Sequence, residues 1–490
     1  MAGKLYVTTP IYYVNDAPHI GSAYTTVAGD IVARYYRQKL GKENVFFLVG
    51  TDEHGQKVQM VAKEKGLTPI QLADKVSQEF KDAWKLLNID YDYFIRTTDP
   101  KHEKVVSELL QKVYDAGYIK PGIYEGPYCI GCERFYKESE LVNDRCPLHP
   151  NKEISHQKEK NYFLKLKDLA EKEVLPRIEK GEYQILPEER KNEIISRIKQ
   201  GVEDVSVSRE GVTWGIPLPW DKTQTIYVWV DALINYFSAT KFIDGKEKFW
   251  PADLHLVGKD ILWFHAVIWQ ALLIAAGEEI PKTIFAHGFF TIDGQKMSKS
   301  LGNVITPKQL VDRYGVDGAR YLTISAVTFG TDGDISLKNF DTKYDADLAN
   351  GLGNLVARVA KLCESSNFEN KEKPLSFNEY IEIENSQFSD PEDDYNYKKN
   401  IESYKFDNAL HFINILISEA NLYINQKKPW ELLENKDKEE LFKILKDLVE
   451  NIQQIGTLLE PFLPEASGKI LDQFGKEKIK SAAPLFPRLD

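Results

Sequence analysis

The chain has 490 residues, 42% hydrophobic and 28% charged, with a formal net charge of −11. That length asks for more than one core, because single cores stop growing near ~250–300 residues. No apolar run approaches the ~18–20 residues that cross a bilayer, and four cysteines are too few for a disulfide framework. The acidic balance does not point to a general nucleic-acid binder, although a local basic groove can work on an acidic body. LYVTTP follows the first residues with no basic flank or apolar leader, so a cytoplasmic protein without membrane association is expected.

In chain order, four short apolar runs share one grammar. LYVTTP (5–10) leads into NDAPHIGS, and VFFLV (45–49) into GTDEHGQ. LHLV (254–257) leads into GKDILWFH, and IFA (284–286) into HGFF. Each reads as a buried strand followed by a polar loop with glycine, and helical patterns follow the first three. After His19, for example, Ala23, Val27, Ile31 and Tyr35 recur every four residues until Gly41 supplies a stop. Strands alternating with helices predict an α/β fold with a parallel, doubly wound sheet. Ligands of such sheets sit beyond the carboxyl ends of the strands. The expected organisation is a catalytic domain in two halves, 1–115 and 223–335, split by an inserted domain at 116–222. A linker at 336–350 and an all-helical bundle at 351–490 follow. Amphipathic patterns place bundle helices over 351–362, 409–426 and 439–464, and 364–400 reads as exposed connection with one short helix.

The insertion carries CIGC (129–132) and, thirteen residues further on, CPLH (146–149). Two tight pairs with two-residue spacers, the second ending in His, suit tetrahedral ligation of zinc by Cys129, Cys132, Cys146 and His149. Four protein ligands close the shell, so the metal is expected to be structural. Cys363 lies apart on a helical pattern and reads as a packed thiol.

Two further stretches point to phosphate. In PHIGS, His19 and Gly21 sit where the first strand turns into its helix, and a helix N-terminus offers N–H groups to an anion. In IDGQKMSKSLGN (292–303), Lys296 and Lys299 lie between Gly294 and Gly302 on a loop too polar to be core. A solvated surface turn is the bland reading of that loop, and a clamp for phosphates the sharper one.

Together, in this order and split by an insertion, PHIGS and KMSKS resemble the signatures of class I aminoacyl-tRNA synthetases. Within that class the chain resembles the methionyl-tRNA synthetases over essentially its whole length. IYYVNDAPHIGS, GTDEHGQ, the Cys/His knuckle, YVWVDALINY, GKDILWFH, AHGFFTIDGQKMSKS and the helical bundle carry the likeness. Ser22 departs from it, since the signature often has a second His there.

The resemblance implies a Rossmann-like catalytic domain that activates L-methionine with ATP and transfers it to the 3′-terminal ribose of tRNA(Met). His19, Lys296 and Lys299 would be catalytic, with Gly21, Gly258, Asp260 and His287 completing the ATP site and Mg²⁺ accompanying the nucleotide. The methionine pocket maps onto Ile11, Tyr13, Asp52, Trp229, Leu233, Tyr236, Ile261 and His265. Asp52 would pair with the ammonium, and Tyr or His would offer the thioether a polar hydrogen. Asn354, Arg358 and Trp430 would read the anticodon. The chain lacks the appended oligonucleotide-binding fold of some members, so a monomer is expected. Another class I synthetase and a catalytically inactive tRNA-binding paralogue are the alternatives.

Overall fold

The computed structural model describes residues 3–489 except 133, 137, 148, 298–301, 372, 388–395 and 436, and not the side chains of 134, 139, 296 and 383–387. Seven strands among the described residues form the central sheet: β1 (Leu5–Thr8), β2 (Tyr12–Tyr13), β3 (Val45–Asp52), β4 (Tyr93–Arg96), β5 (Gln184–Leu186), β6 (Leu254–Gly258) and β7 (Thr283–His287). Their pairings are all parallel. Val7 on β1 faces Phe47 on β3 to one side and Leu254 on β6 to the other, so the two halves of the chain meet at the middle of the sheet. The four apolar runs read as strands are β1, β3, β6 and β7.

Strand alternation sorts side chains into two cores. Leu5, Val7, Val45, Phe47 and Val49 pack with Val27 and Ile31 of helix α1 (Ile20–Leu40) on one face. Tyr6, Phe46 and Leu48 pack on the other face with Val106 of α2 (Pro100–Asp115) and Ile234 of α3 (Val228–Phe242). Near-continuous apolar strands are what two covered faces require.

The stretch read as an insertion does not stand wholly apart. Its residues 119–164 and 205–206 build an antiparallel sheet from Ile119–Cys129, Arg134–Phe135, Ser155–Leu164 and Val205–Ser206, with the knuckle at one end. Between these, β5 returns to the central sheet and pairs in parallel with β7, Ile185 opposite Ile284. Only three residues long, β5 offers too short a pattern to be recognised as a sheet strand before its neighbour is known.

The C-terminal region is helical. Phe406–Lys427 covers its expected span, Asn354–Ser366 continues a π-helical segment, Tyr344–Gly353, that holds the start of the first span, and Lys438–Leu459 stops short of 464. Pro464 instead opens a separate helix, Pro464–Phe474, which packs back on Lys438–Leu459. A proline lacks the N–H that an uninterrupted helix would need, and it suits a first turn. At the junction with the catalytic half, Arg320 on α4 (Pro307–Ser325) is fully buried. It pairs with Asp30 of α1 at 2.7 Å and donates to the carbonyls of Pro461 and Phe462 at 2.9 and 2.8 Å.

Candidate active site and metal knuckle

The polar loops after β1, β3, β6 and β7 converge on one cavity of about 810 Å³ at the carboxyl ends of the strands. Every residue expected in the methionine or ATP site lines it, the two lysines excepted. Lys299 lies outside the described residues, and of Lys296 only the backbone is described.

The phosphate side is built on the start of α1. His19 is its N-cap, and Nδ1 accepts the Gly21 N–H at 3.1 Å. In the neutral ring this leaves the proton on Nε2, a donor fixed at a helix N-terminus. Ser22, the departure from the signature, braces the turn locally. Its Oγ accepts from the His19 N–H at 3.0 Å and donates to the His19 carbonyl at 2.8 Å. A side chain on Gly21 would stand 2.9 Å from the His19 ring and 3.5 Å from Met297 Cε. Glycine is therefore required there, and the two phosphate motifs are neighbours. The Ile20 N–H also donates to Ile305 O at 2.8 Å, joining the first helical residue to the segment after the lysine loop. That loop starts from a hairpin, Phe290–Ile292 with Gln295–Lys296, whose turn places Gly294 at φ +73° and donates its N–H to Asp334 at 2.7 Å.

The apolar side is made by α3 and the segment after β6. Trp229, Leu233 and Tyr236 recur at helical spacing along one face of α3, and Trp229 stacks on Phe264 with centroids 4.1 Å apart. His265 Nδ1 donates to Ile261 O at 3.0 Å, so Nε2 accepts the Tyr236 hydroxyl at 2.8 Å. Burial pulls the His265 imidazole down to about 4, which keeps it neutral. The Tyr236 hydroxyl thus faces a ring nitrogen as well as the pocket, and the His265 N–H is turned to the backbone. Around them the wall is largely aromatic, and polarizable rings suit a sulfur atom. His287 is engaged in the same way: Nδ1 donates to Gly288 O at 2.8 Å, Thr25 Oγ1 lies 2.6 Å from Nε2, and burial brings the ring down to about 4. It braces the nucleotide wall instead of offering a ring nitrogen. Asp52 ends β3 and is 9% exposed, opposite Tyr13 in register.

The knuckle residues come together as their spacing predicts. The candidate ligand atoms of Cys129, Cys132, Cys146 and His149 all lie within 4.8 Å of one another. Cys132 Sγ is 3.5 Å from Cys146 Sγ and 3.2 Å from His149 Nδ1. Metal–sulfur bonds of about 2.3 Å give tetrahedral edges near ~3.8 Å, so the quartet fits one ion. It is no disulfide, for these cysteines are free thiols. Burial raises the Cys129 and Cys132 thiols, a cost that a bound cation offsets by favouring the thiolates. Gly131, Cys132 and His149 also line the cavity, which the sequence did not signal, because spacing reports ligation and not what the ligands abut. Among the other wall residues that were missed are Tyr12, hidden in the apolar run, and Lys57, whose Nζ stands 5.7 Å from the Tyr13 ring.

In the bundle, Arg358 donates to Asn425 Oδ1 at 2.9 Å, Asn354 is exposed one turn earlier, and Trp430 is 39% exposed on the short helix Pro429–Glu434 packed beside theirs.

The family model described as "tRNA synthetases class I (M)" matches residues 5–155 and 137–360. The chain belongs to the methionyl-tRNA synthetases. A methionine–tRNA ligase of Caldanaerobacter subterraneus is 42% identical over 519 residues, covering 100% of this chain and 80% of that one. Another, from Rickettsia bellii, is 42% identical over 97% of this chain and 93% of its own. Among solved structures, the Mycobacterium tuberculosis methionyl-tRNA synthetase in complex with methionyl-adenylate overlays with a TM-score of 0.90 at 35% identity, over 99% of this chain and 100% of that one. The free-state crystal structure of the M. tuberculosis enzyme overlays at 0.83 and 31% identity, over 100% of this chain and 99% of that one. A methionyl-tRNA synthetase uses one parallel sheet with a split catalytic domain, a Cys/His cluster and a helical C-terminal region, the architecture found here. Among the described residues no helix is long and apolar enough to cross a membrane.

Proposed function

We propose that the cavity binds L-methionine and ATP, joins them as methionyl-adenylate, and passes the methionyl group to the terminal ribose of tRNA(Met). The observation that carries this reading is the convergence of His19, Gly21, Asp52, Trp229, Tyr236 and Asp260 on one cavity at the strand ends. Asp52 takes the substrate ammonium, and the Trp229, Leu233 and Tyr236 face takes the side chain. The methionine carboxylate, already ionised, attacks the α-phosphorus; the bond to the bridging oxygen breaks and pyrophosphate leaves. This step needs alignment and charge cancellation but no general base. His19 Nε2–H and the lysines of the KMSKS loop supply donors where charge develops on phosphoryl oxygens. Mg²⁺ enters with ATP as its counter-ion. A ribose hydroxyl of tRNA then attacks the adenylate carbonyl, and AMP leaves.

The knuckle quartet fits zinc, for which three sulfurs and one nitrogen are a familiar donor set. Zinc bound there has no open position and would supply order, not reaction chemistry. The reading is supported further by the exposed Asn354 and Trp430 and the half-buried Arg358, which can hydrogen-bond and stack splayed bases. ATP–pyrophosphate exchange measured against each of the twenty amino acids tests the proposal. Exchange dependent on methionine supports it, and exchange with another amino acid or with none overturns it.

A further inference from the structure

Behind the methionine wall lies a buried ionic cluster that lines no part of the cavity. Asp231 on α3 is 1% exposed and uses both carboxylate oxygens. Oδ2 receives His54 Nδ1 at 2.7 Å, and Oδ1 receives His102 Nε2 at 2.8 Å. His102, on α2, reaches Ser238 Oγ of α3 with its other nitrogen at 2.7 Å. His54 sits two residues after Asp52, its Nε2 is 3.7 Å from Glu103, and its ring packs edge-on against Trp214. Burial pulls His54 down, but Asp231 and then Glu103 more than restore it, leaving it above its ordinary value. Burial alone would raise Asp231, yet the two imidazoles bring it below the usual carboxylate range. Each partner thus favours the charged form of the other, within an interior cluster held by hydrogen bonds at 2.7 and 2.8 Å.

Three elements meet there: the loop after β3, the start of α2, and α3. Asp231 faces away from the cavity on the same helix whose opposite face presents Trp229, Leu233 and Tyr236. His54 belongs to the loop that presents Asp52. Trp214 holds that loop from another side, donating Nε1–H to Glu53 O at 2.7 Å and accepting the Gly55 N–H at 3.0 Å. The two sides of the pocket, one gripping an ammonium and the other a hydrocarbon tail, are thus joined by the Asp231–His54 contact. Apolar residues of equal volume would serve stability at least as well as a buried ion pair, whereas a pair fixes geometry.

We propose that Asp231 is a positioning residue for methionine capture: by clamping His54 it sets the gap between the Asp52 carboxylate and the apolar wall of α3. This rests on the reading of the cavity as a methionine site. The clamp acts on the amino-acid half alone, because the phosphate half is built on α1 and the KMSKS hairpin.

The test is ATP–pyrophosphate exchange with the full-length protein, varying methionine and ATP separately. Asp231→Asn is expected to raise the methionine KM about tenfold or more while the ATP KM stays within about twofold. His54→Leu should do the same, and His54→Asn, whose amide N–H stands near Nδ1, should recover most of the loss. An unchanged methionine KM in both Asp231→Asn and His54→Leu overturns the clamp, as does an equal rise in both constants, which marks general loosening of the fold. Should Asp231→Asn fail to fold, the His54 pair decides alone, and equal behaviour of His54→Leu and His54→Asn overturns the proposal. Absence of methionine-dependent exchange in the unaltered protein is a different result, and refutes the cavity reading itself.

Discussion

The cavity proposed for methionine and ATP and the bundle face proposed to meet tRNA are built in opposite ways. In the cavity, polar groups are buried and committed to one another: Tyr236 to His265, Thr25 to His287, Ser22 to the His19 backbone. On the bundle, Asn354 and Trp430 stand exposed, and Arg358 has a single hydrogen-bond tie to Asn425. A small ligand must find a finished pocket, because every group left to arrange itself costs affinity. An RNA loop brings its own bases and reorganises on contact, so its reader can keep side chains in water.

The contrast breaks most sharply at the phosphate loop. Lys299→Ala should slow adenylate formation by about 10²–10³-fold, the range for removing one preorganised donor, with methionine binding unchanged by equilibrium titration. Equal losses in both would make the lysine a binding residue only. Trp430→Ala should next raise the KM for tRNA in aminoacylation by roughly 10–100-fold, since base stacking is worth about 1–3 kcal/mol, while pyrophosphate exchange stays intact. If both activities fall together, the two regions are not separate readers. Tyr236→Phe removes the hydrogen bond to a buried ring nitrogen, worth about 1–3 kcal/mol when left unsatisfied, and should raise the methionine KM about tenfold.

The smallest effect at neutral pH comes from the buried histidines. His265 and His287 are held down to about 4, whereas unfolded histidines titrate near ~6.5. Between these values the unfolded chain binds more protons, so this stabilisation is complete above about pH 6.5 and lost as pH falls toward 4. The urea midpoint should decline over that interval, and His265→Gln should flatten part of the decline.

Much of this was legible in the residues. The four apolar runs lie on a period and length that fix strands, and a doubly wound sheet brings their polar ends together whatever lies between. The knuckle follows from spacing alone. What was not legible depended on partners far apart in the chain. β5 is recognisable only once β7 is beside it, and the bundle helix expected to run to 464 stops at Leu459, with Pro464 opening another. Tyr236 and His265 were both read as pocket residues, but their mutual hydrogen bond is a fact of orientation. His54 and Asp231 stood inside quoted motifs, and nothing in the sequence paired them.

The burial of Arg320 and Asp30 bears on how this chain can be divided. The helix that opens at His19 is fastened at mid-length to α4, and α4 in turn to the backbone at the close of Lys438–Leu459. Cutting near residue 350 would therefore not release two self-sufficient modules. It would break these bonds and bare the apolar core that α4 shares with Phe406–Lys427 and Pro464–Phe474, so the catalytic half made alone should be poorly soluble, and supplying the bundle as a separate polypeptide should restore it.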